Sequence, residues 1–557
     1  MQPTSSKPFF YGVFPPFGKI AYFSMEIAIH PDMPTYSGGL GVLAGDTLRS
    51  AADLGVPMVA FTLLHRKGYF RQHLDSAGNQ SEDIQPWNPA DFCAEEPARI
   101  TVAVEGRVVT VRAWRYDMEG RSGHVVPIYL LDTDLDGNSG WDRGLTDHLY
   151  GGDTNYRLQQ EVVLGMGGVR MAAALGLHVN VYHMNEGHAA LLTLALLERQ
   201  LGGGMLDVPT EADIEQVRRK CVFTTHTPVP AGHDRFSTEQ TIRILGGDRT
   251  ARLERLGCFY QGLLNMTLLA LRFSRYANAV AMQHGKVSRE MFPEFAVGSI
   301  TNGVHAPTWI SEPVQQMLDE YIPAWRQDTL SLRNAIDLPE AKIRAAHTRA
   351  KGELLAEVAS RTGLVLNPKV LTLGFARRVA TYKRANLLFN DTERLAEIAA
   401  AAGGLQILYA GKAHPQDEPG KALIREVVEY AAKLPDEMVR IVYLENYAWA
   451  LGALLTAGVD VWVNTPRRPY EASGTSGMKA ALNGVPSLSI LDGWWVEGNI
   501  EGVTGWAIGE AHRGDPGPET PVDNAYDAES LYAKLEGVIL PLYYSSRERY
   551  LDIMRHA

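Results

Sequence analysis

The sequence predicts an α/β protein in which strands and helices alternate in two successive series. Apolar segments of strand length alternate with segments of helical periodicity, first over residues 20–301 and again over residues 340–463. Glycine-rich or polar segments follow several predicted strands, and an open α/β sheet binds its ligands at that end of its strands. The two series indicate two Rossmann-like domains with the active site in the cleft between them. We place these domains at residues 1–304 and 305–557.

The composition agrees with a large protein that has more than one core. The chain has 557 residues, of which 45% are hydrophobic and 21% are charged, as in ordinary globular proteins. The formal net charge of −11 argues against a nucleic acid or an anionic membrane as partner and leaves an uncharged polymer open. The cysteines, Cys93, Cys221 and Cys258, are too few and too scattered for a disulfide framework or a thiolate metal site.

The chain lacks the sequence signals of a membrane or secreted protein, and we expect it in the cytoplasm. No segment approaches the ~20 apolar residues needed to span a bilayer. The first residues, MQPTSSKP, lead into aromatic residues and prolines without the continuous apolar core of a signal peptide.

The first series contains one irregularity, a predicted β-hairpin. Residues 99–116 alternate in hydrophobicity with a break at Glu105-Gly106, which indicates a hairpin inserted into the α/β pattern. The other predicted strands are residues 20–24, 57–64, 125–131, 179–183, 221–225, 279–282 and 297–301, and the predicted helices are residues 42–54, 156–175 and the segment from His188 to Leu197.

The second series follows a proline-containing connector at residues 308–325. Its predicted strands are residues 370–375, 405–410, 439–444 and 458–463, and its predicted helices are residues 340–360, 384–402, 421–433 and 448–455. Beyond the series, residues 509–523 are rich in Gly, Pro and Asp and predict an exposed loop, and residues 542–557 predict an amphipathic helix.

The segment EASGTSGMK, from Glu471 to Lys479, lies between a predicted buried strand and a short helix over residues 478–482. Its small residues, Ser473 to Gly477, predict a strand-to-helix turn whose amide groups and positive helix end face an anion. Lys479 follows one turn into that helix. Lysine is the residue that joins pyridoxal phosphate, whose phosphate suits the amides of residues 475–477. A solvated lysine after a glycine-rich turn is the alternative.

Two further segments carry candidate binding groups. Gly38-Gly39-Leu40 lets a backbone approach an anion or a sugar, although tight helix packing explains such glycines equally well. The segment from Arg377 to Arg384 places four cations after a predicted strand, where they favour an anion clamp over a solvated face. His188 and His226 also follow strands, but neither has a second ligand at a spacing that supports a metal site.

Together these segments resemble the α-glucan phosphorylases, the family of the glycogen, starch and maltodextrin phosphorylases. Residues 471–479 match that family's pyridoxal-lysine motif, and Arg378-x4-Lys383 matches its phosphate-binding pair. Leu444-Glu-Asn-Tyr447 stands 24 residues before Glu471, as in the family. Further matches follow in the family's order over most of the chain: Gly38 to Gly41, Asn185-x-x-His188, Thr225 to Thr227, Thr301 to Gly303 and Leu491 to Gly493.

The resemblance implies a GT-B fold, pyridoxal 5'-phosphate on Lys479, and the retaining phosphorolysis of terminal α-1,4-linked glucose to glucose 1-phosphate. Arg378 and Lys383 would hold inorganic phosphate, helped by the amide of Gly39. The residues implied around the cofactor are Thr475, Ser476 and Arg377 at its phosphate, and Tyr447 and Trp309 beside its ring. The residues implied at the glucan are Gly38, Gly39, Leu40, His188, His226, Asn302, Glu471, Ser473 and Gly474, with the His226 carbonyl near the reacting carbon. A homodimer stays open.

The residues themselves suit such a reaction. Cleavage of an acetal by phosphate passes through an oxocarbenium-like state, so an anion must lie beside the developing cation and a proton must reach the leaving oxygen. Two phosphate groups in contact repel each other unless cations such as Arg377, Arg378 and Lys383 hold them. A phosphomonoester has a second pKa of ~6, which suits proton exchange at neutral pH.

Three other functions fit parts of the sequence. A GT-B glucan synthase that uses a nucleotide sugar shares the glycine turn and the basic pair, but it has no use for Lys479 at a helix start. A non-catalytic glucan-binding protein has no need of Arg378, Lys383 and Lys479 together. An aminotransferase needs an acidic partner for the pyridine nitrogen, and no motif supplies one.

Two departures from the long phosphorylases stand out: Ser476-Gly477 replaces Gly-Asn, and Trp494-Trp495 replaces smaller residues.

Overall fold

The computed structural model describes residues 18–202, 208–229, 232–435, 437–510 and 521–557. The predictions for the first residues and for residues 511–520 of the predicted loop lie outside these ranges. Residues 521–523, which we assigned to that loop, instead begin a helix. Among the described helices, none combines the length and the apolar character that crossing a bilayer requires.

The strands of the described residues alternate with helices as the sequence predicts. In chain order they are β1 (Lys19–Ser24), β2 (Met58–Leu63), β3 (Arg71–Leu74), β4 (Gln80–Asp83), β5 (Ala94–Val104), β6 (Arg107–Glu119), β7 (Val125–Asp132), β8 (Val179–Asn185), β9 (Cys221–Thr224), β10 (Arg235–Ser237), β11 (Phe259–Tyr260), β12 (Leu263–Asn265), β13 (Tyr276–Ala279), β14 (Val297–Ser299), β15 (Thr372–Ala376), β16 (Leu405–Ala410), β17 (Val439–Leu444), β18 (Val461–Asn464), β19 (Ser487–Ile490) and β20 (Gly505–Ile508).

The α-helices of the same ranges cover the faces of the sheets. They are α1 (Gly39–Asp53), α2 (Gly140–Arg143), α3 (Thr154–Glu161), α4 (Gly168–Ala174), α5 (Leu191–Gln200), α6 (Glu211–Arg218), α7 (Thr238–Leu245), α8 (Gly247–Arg255), α9 (Met266–Arg272), α10 (Met282–Met291), α11 (Ala306–Trp309), α12 (Glu312–Tyr321), α13 (Glu340–Thr362), α14 (Thr392–Ala402), α15 (Glu418–Lys433), α16 (Trp449–Gly458), α17 (Thr475–Ala481), α18 (Trp495–Gly498), α19 (Pro521–Lys534), α20 (Leu540–Ser545) and α21 (Arg547–His556).

The larger sheet has the strand order β14-β13-β9-β8-β1-β2-β7-β6-β5. Its strands are parallel except β6, which runs antiparallel to β5 and β7, so the predicted hairpin is confirmed as one edge of this sheet. The chain places β2 on one side of β1 and later places β8 on its other side. This reversal makes a switch point between β1 and β8, where the connections leave the strand ends in opposite directions and open a crevice.

The second sheet is fully parallel, with the order β17-β16-β15-β18-β19-β20. Every residue of β15, β16 and β18 is buried, because helices cover both faces of a parallel sheet. The switch point of this sheet lies between β15 and β18. The segments beginning at Arg377 and leading to Glu471 follow these two strands.

Several predicted elements are wrong in their extent, among them a helix and a strand. Residues 384–402 do not form one helix: the chain makes tight turns at Thr381–Lys383 and Leu387–Phe389, and α14 begins at Thr392. Arg384 adopts a left-handed φ of 48°, and the Asp391 side chain caps α14 by accepting from the Arg394 amide. The strand predicted at residues 279–282 ends at Ala279, because Met282 begins α10.

The hairpin of β3 and β4 is an element that the sequence analysis missed. It follows β2 of the larger sheet, yet its glutamines bond to the loop after β16 of the second sheet. The Gln72 side-chain amide donates to the Gly411 carbonyl at 2.9 Å, and the Gln80 amide donates to the Ala413 carbonyl at 2.9 Å. The Ala413 amide returns a bond to Gln80 Oε1 at 3.0 Å. This hairpin therefore connects the two sheets directly.

Candidate active site

Lys479 lies on α17, which begins three residues earlier than the sequence predicts. Gly474 precedes the helix in a left-handed conformation, with φ of 87°, and helical geometry starts at Thr475. Thr475, Ser476 and Gly477 are therefore the first turn of the helix and not a turn before it. Lys479 is 8% exposed and reaches the space beside Trp309.

The amine of Lys479 lies over an aromatic ring in a buried environment. Its Nζ is 3.8 Å from the centroid of the Trp309 ring. Burial lowers the pKa of Lys479 to about 8, although the nearby Asp46 carboxylate opposes that shift. A substantial fraction of this amine is therefore neutral near physiological pH, as a lysine that reacts with a carbonyl group requires.

Asn483 fixes Lys479 and Trp309 relative to each other. Its side-chain amide donates to the carbonyl of Trp309 at 2.8 Å and to the carbonyl of Lys479 at 2.9 Å. Its oxygen accepts from the Ser311 amide at 2.8 Å. Trp309 also stacks on Trp449, with 5.9 Å between the ring centroids. The connector that carries Trp309 is thus held against the end of α17 by hydrogen bonds and against α16 by aromatic packing.

Two of the predicted cations meet on one carboxylate. Glu471 Oε2 lies 2.6 Å from Lys383 Nζ and 3.0 Å from Arg377 Nη2. Burial alone would raise the pKa of Glu471, but Arg377 and Lys383 outweigh it and lower that pKa to about 2. The carboxylate is therefore charged at neutral pH. The cluster of Arg377, Lys383 and Glu471 keeps an excess of one positive charge.

Arg377 also has unused donors. Its Nε and Nη1 are buried and have no hydrogen-bond partner in the described part of the chain. Buried guanidinium groups normally use such donors, and an anion is the ligand that matches them. Arg378, in contrast, is exposed. The nearby side chains of Tyr382, Tyr69 and Tyr150 raise the pKa of its guanidinium group. The structure therefore separates the two adjacent arginines into a buried and an exposed environment.

The remaining second-sheet residues surround the same turn. Ser473 is buried and its hydroxyl has no hydrogen-bond partner among the described residues. Ser476 Oγ accepts from the Trp462 indole at 3.2 Å, and Thr475 is partly exposed beside it. Tyr447 is partly buried. Its hydroxyl oxygen lies beside Gly452, 3.0 Å from the position that a Cβ would take on that glycine. Burial raises the pKa of the Tyr447 hydroxyl, and the positive charge of Arg377 opposes that rise.

Asp492 is a site residue that we had noted only as part of a motif. Its Oδ2 accepts from the Glu471 amide at 2.8 Å and its Oδ1 accepts from the Gly493 amide at 2.9 Å. Burial raises the pKa of Asp492 to about 7, although those two amides oppose the shift. This carboxyl group holds the backbone of Glu471 in place.

The glycine turn at Gly38 carries an unexpected carboxylate. Glu26 Oε2 accepts from the amides of Ser37 at 2.5 Å and Gly38 at 3.1 Å, and Oε1 accepts from the Tyr150 hydroxyl at 3.0 Å. Glu26 therefore occupies the Gly38 amide, a bond that no motif predicted. Among the described residues, apart from the chain neighbours, no heavy atom lies within 4 Å of where a Cβ would stand on Gly38 or Gly39, so this side of the turn is open.

The histidines lie at the carboxyl ends of β8 and β9 in the larger sheet. His226 Nε2 bonds to Asn185 Oδ1 at 2.6 Å, and the His226 amide donates to Glu186 at 2.7 Å. Burial lowers the pKa of His226 to about 4, so its ring is neutral at physiological pH. His188 Nε2 lies 3.2 Å from Asp234. Within the described ranges, no group of three His, Cys, Asp or Glu side chains gathers as metal ligands.

The residues on the two sheets meet through two sets of direct contacts. Trp309 Nε1 donates to Asp46 of α1 at 2.7 Å. Glu497 of α18 accepts from the Met282 amide at 2.8 Å and from the Thr301 hydroxyl at 2.6 Å. Thr301 is adjacent to Asn302, which is partly exposed. These contacts bring the predicted glucan-binding residues of the larger sheet toward the segment that follows Lys479.

Asp46, Asp492 and Glu26 are the charged groups that the sequence analysis did not assign. A signal for Asp46 existed, because it follows Gly39 by seven residues on α1 and so lies on the same face of that helix as the glycine turn. Glu26 had no such signal. It reaches Gly38 only because β1 and α1 are packed together.

The fold and the site define an α/β protein with a buried lysine of lowered pKa and a cluster of two cations and one carboxylate after the strands of its second sheet. A family profile described as carbohydrate phosphorylase matches residues 233–503. Maltodextrin phosphorylase from Thermococcus litoralis is 40% identical over 97% of this chain and 68% of its own length. Glycogen phosphorylase from Mycobacterium tuberculosis is 39% identical over 96% of this chain and 68% of its own, and that from Aquifex aeolicus is 34% identical over 95% and 81%.

Similarity of this extent confirms the family that the motifs predicted. The chain belongs to the carbohydrate phosphorylase family, as an α-glucan phosphorylase. Its α/β architecture with parallel sheets is consistent with that family.

Proposed function

We propose that this enzyme phosphorolyses the non-reducing terminal α-1,4-linked glucose of glycogen, starch or maltodextrin and gives glucose 1-phosphate with retention of configuration. The observation that carries the proposal is the cluster of Arg377, Lys383 and Glu471 next to the helix of Lys479. This cluster has an excess positive charge and two unused buried donors on Arg377. The names of the relatives, maltodextrin and glycogen phosphorylase, supply the substrate class.

The residues around Lys479 fit pyridoxal 5'-phosphate as the cofactor. Lys479 supplies a buried amine, Trp309 and Tyr447 supply aromatic surface, and the first turn of α17 with Arg377 supplies donors for a phosphate group. The bound cofactor would supply a phosphate group that gives and takes a proton near neutral pH. Thr475, Ser476 and Gly39 complete the proposed cofactor residues.

Arg378 and Lys383 are the proposed ligands of inorganic phosphate. Lys383 is held by Glu471 at 2.6 Å, which orients its ammonium group before any anion binds. Arg378 is exposed and has room to approach a diffusing anion. Two phosphate groups side by side require several cations, and Arg377, Arg378 and Lys383 supply three.

The proposed glucose-binding residues come from both sheets. Glu471, Ser473 and Gly474 lie on the second, whereas Asn302, His226, His188 and the Gly38-Gly39-Leu40 turn lie on the larger one. A neutral His226 ring accepts or donates one hydrogen bond, and its carbonyl would place a partial negative charge beside a developing cation. The unpaired Ser473 hydroxyl is free to bond to a sugar hydroxyl.

We also propose a domain arrangement, a location and an oligomeric state for the whole protein. Residues 1–304 and 305–557 would be the two Rossmann-like domains of a GT-B fold, with the site in the cleft between them. The two parallel sheets and the site residues at both switch points support this division. A cytoplasmic location and a homodimer belong to the same proposal, and size-exclusion chromatography would test the second.

The test combines a spectrum with an assay. The purified protein is expected to show the absorbance of stoichiometric pyridoxal and to release glucose 1-phosphate from maltodextrin and phosphate. Lys479→Ala should lose both signals. Lys433→Ala, which removes an exposed lysine of α15, should keep both. Absence of pyridoxal, with transfer from a nucleotide sugar, would instead show a glucan synthase, and glucan binding without product would show a binding protein.

One further variant and one chemical treatment address individual roles. Arg378→Ala is expected to raise the KM for phosphate far more than the KM for maltodextrin, because phosphate is the substrate that this side chain is proposed to hold. Borohydride reduction of the bond between Lys479 and the cofactor should leave phosphorolysis largely intact. Inactivation by borohydride would show that the cofactor's carbonyl carbon takes part in the reaction and would contradict the proposed role of its phosphate.

A further inference from the structure

Glu186, directly after β8, has a backbone conformation that residues with a side chain rarely adopt. Its φ is 71° and its ψ is 170°, a combination that is populated almost only by glycine. The other non-glycine residues of positive φ in the described part of the chain have φ between 48° and 55°, close to the ordinary left-handed region. A strained residue of this kind persists only where its surroundings hold it, and such residues concentrate at functional sites.

The carboxylate of Glu186 accepts three hydrogen bonds in a buried position. Its Oε2 accepts from the His226 amide at 2.7 Å and from the Thr227 hydroxyl at 3.0 Å. Its Oε1 accepts from the Gly187 amide at 3.0 Å. Glu186 is 6% exposed, and all three partners are donors, so the side chain acts as an ionised acceptor.

Two of these bonds bracket the peptide group that carries the His226 carbonyl. The His226 amide precedes that carbonyl and the Thr227 side chain follows it, and both end on the same oxygen of Glu186. Asn185, the residue before Glu186, holds the ring of His226, because its Oδ1 bonds to the ring Nε2 at 2.6 Å. Two consecutive residues at the end of β8 therefore hold both the ring and the backbone of His226.

The strained backbone allows these bonds while the chain turns away from the sheet. The Glu186 amide donates to the Thr224 carbonyl at 2.9 Å, which extends the pairing of β8 with β9 by one residue. The tight turn at Gly187–Ala189 follows at once and carries His188. A relaxed, negative φ at Glu186 would swing the carboxylate away from His226 or redirect the chain that leads to His188.

We propose that Glu186 is a positioning residue that fixes the backbone of His226 at the switch point of the larger sheet. The inference rests on the proposed function, in which the His226 carbonyl lies near the reacting carbon. A carbonyl dipole stabilises a developing cation only when it is held in the correct place, since a displacement of ~1 Å can lower a rate by a factor of ~100. The contacts that maintain the strain at Glu186 thus hold His226 in place before the glucan binds.

Glu186→Gly separates this role from a purely structural one. Glycine adopts the observed φ and ψ without strain, so the turn after β8 still forms, but the carboxylate is lost. At equal pyridoxal content, kcat should fall by roughly a hundredfold, because the His226 carbonyl loses its support. The KM for phosphate, whose proposed ligands are Arg378 and Lys383, should stay within about twofold, since the lost interaction acts in the transition state.

A kcat equal to that of wild type in Glu186→Gly would overturn the inference and show that Glu186 serves the turn alone. A loss of activity confined to the KM values would also contradict it. A wild-type protein that releases no glucose 1-phosphate would instead overturn the proposed function.

Hydrogen exchange supplies a readout that does not depend on activity. The His226 amide donates to Glu186 in the wild-type protein, so a peptide covering residues 222–229 should exchange faster in Glu186→Gly. Unchanged exchange would show that Glu186 does not hold this amide and would contradict the proposed positioning, whatever the kcat.

Gln261→Gly is the matched control, because it also replaces a left-handed residue with glycine. Gln261 has a φ of 53° and is exposed in the turn between β11 and β12. This variant should keep the wild-type kcat and the wild-type exchange of residues 222–229. A fall in kcat as large as that of Glu186→Gly would show that the effect is not specific to Glu186 and would overturn the inference.

Thr227→Val is the second variant, to be used also where Glu186→Gly does not fold. It removes the hydroxyl that donates to Glu186 Oε2 and leaves the residue at position 186 unchanged. The kcat should fall in the same direction, by less than in Glu186→Gly. A Thr227→Val enzyme with wild-type kcat would contradict the support of the His226 carbonyl from both sides.

Discussion

Glu471 is held in its charged form by two cations in a buried position, at 2.6 Å from Lys383 and 3.0 Å from Arg377. Such an arrangement stabilises the fold only while all partners are present, since the loss of one partner leaves an uncompensated buried charge. The same arrangement prepares the site, because it orients Lys383 and leaves two donors of Arg377 unused. Stability and anion binding therefore depend on the same carboxylate.

Glu471→Gln is expected to lower the free energy of unfolding at neutral pH by on the order of 3 kcal/mol, since Arg377 and Lys383 lose their counter-charge. The pKa of Glu471 is lowered from 4.5 to about 2 in the folded protein. Its stabilisation is thus present above the ordinary pKa and is lost as the pH falls from there toward the folded value. Unfolding midpoints of variant and wild type should therefore converge under acid conditions.

The control for this prediction is Glu429→Gln. Glu429 is exposed on α15 and lies 3.8 Å from the exposed Lys433. Surface pairs of this kind contribute little to stability. A Glu471→Gln variant as stable as this control at neutral pH would contradict the prediction.

Asp492 has the opposite pH dependence. Burial raises its pKa from 3.8 to about 7, so the folded state favours the protonated form. Its contribution to stability is fully present below the ordinary pKa and is lost as the pH rises through the folded value. Asp492→Asn removes this pH-dependent contribution to stability and keeps one side-chain oxygen that accepts a hydrogen bond from a backbone amide. Relative to wild type, the unfolding midpoint of the variant should improve as the pH is raised from 3.8 to about 7 and should level off above the folded pKa. A constant difference would contradict the raised pKa.

At the scale of the element, Gly474 decides where α17 begins. Its φ of 87° lies in the left-handed region, which other L-residues enter at a cost. The turn ends there, and helical geometry starts at the next residue, Thr475. The early start of the helix is therefore what places Thr475 and Ser476 in its first turn.

Gly474→Ala is expected to destabilise the protein by about 1–2 kcal/mol, the cost of a left-handed alanine. A Cβ at this position would meet its nearest heavy atoms at 3.4 and 3.5 Å, which is ordinary contact, so the backbone and not a clash sets the cost. The pyridoxal content should also fall, because the first turn of α17 shifts. Thermal unfolding and the visible spectrum measure the two effects.

Gly137→Ala is the matched glycine control. No heavy atom lies within 4 Å of a Cβ at Gly137, and its φ is not in the left-handed region. It should retain wild-type stability and cofactor content. Full pyridoxal content in Gly474→Ala would show that the start of α17 does not hold the cofactor.

At the scale of the whole molecule, the hairpin of β3 and β4 connects two sheets that are far apart in sequence. Gln72 is fully buried and donates to Gly411, while its oxygen accepts from the Asn446 amide at 2.8 Å. Lys412 also donates to the Phe70 carbonyl at 2.8 Å. These bonds fix the larger sheet against the loops that follow β16 and β17.

Gln72→Ala is expected to lower the free energy of unfolding by on the order of 2 kcal/mol. The Asn446 amide loses its acceptor, and the Gly411 carbonyl keeps only the bond from the Tyr443 hydroxyl at 3.0 Å. The turn between β3 and β4 should also become more susceptible to limited proteolysis. His73→Ala is the control on the same strand, since the His73 side chain is 40% exposed and its Nε2 lies 3.1 Å from the exposed Asp83 carboxylate. Equal proteolysis of the two variants would show that the hairpin does not depend on Gln72.

Much of the site was predictable because the strand ends were predictable. Apolar runs located β15 and β18, and the cations and small residues after them followed directly in the sequence. The prediction of one helix over residues 384–402 failed because local features, the left-handed Arg384 and the Asp391 cap, interrupt a helical pattern. The hairpin of β3 and β4 was missed because its glutamines are polar and are buried only against a distant loop.

The sequence by itself determined the alternation of strands and helices, the family, and the position of Lys479 after a buried strand, because periodicity and short motifs are local properties. The tertiary structure alone decided which charges meet: Glu471 with Arg377 and Lys383, Glu26 with the Gly38 turn, and Asp46 with Trp309 beside Lys479. Such pairs join residues tens to hundreds of positions apart. Their protonation depends on burial, which is a property of the packed molecule and not of any segment.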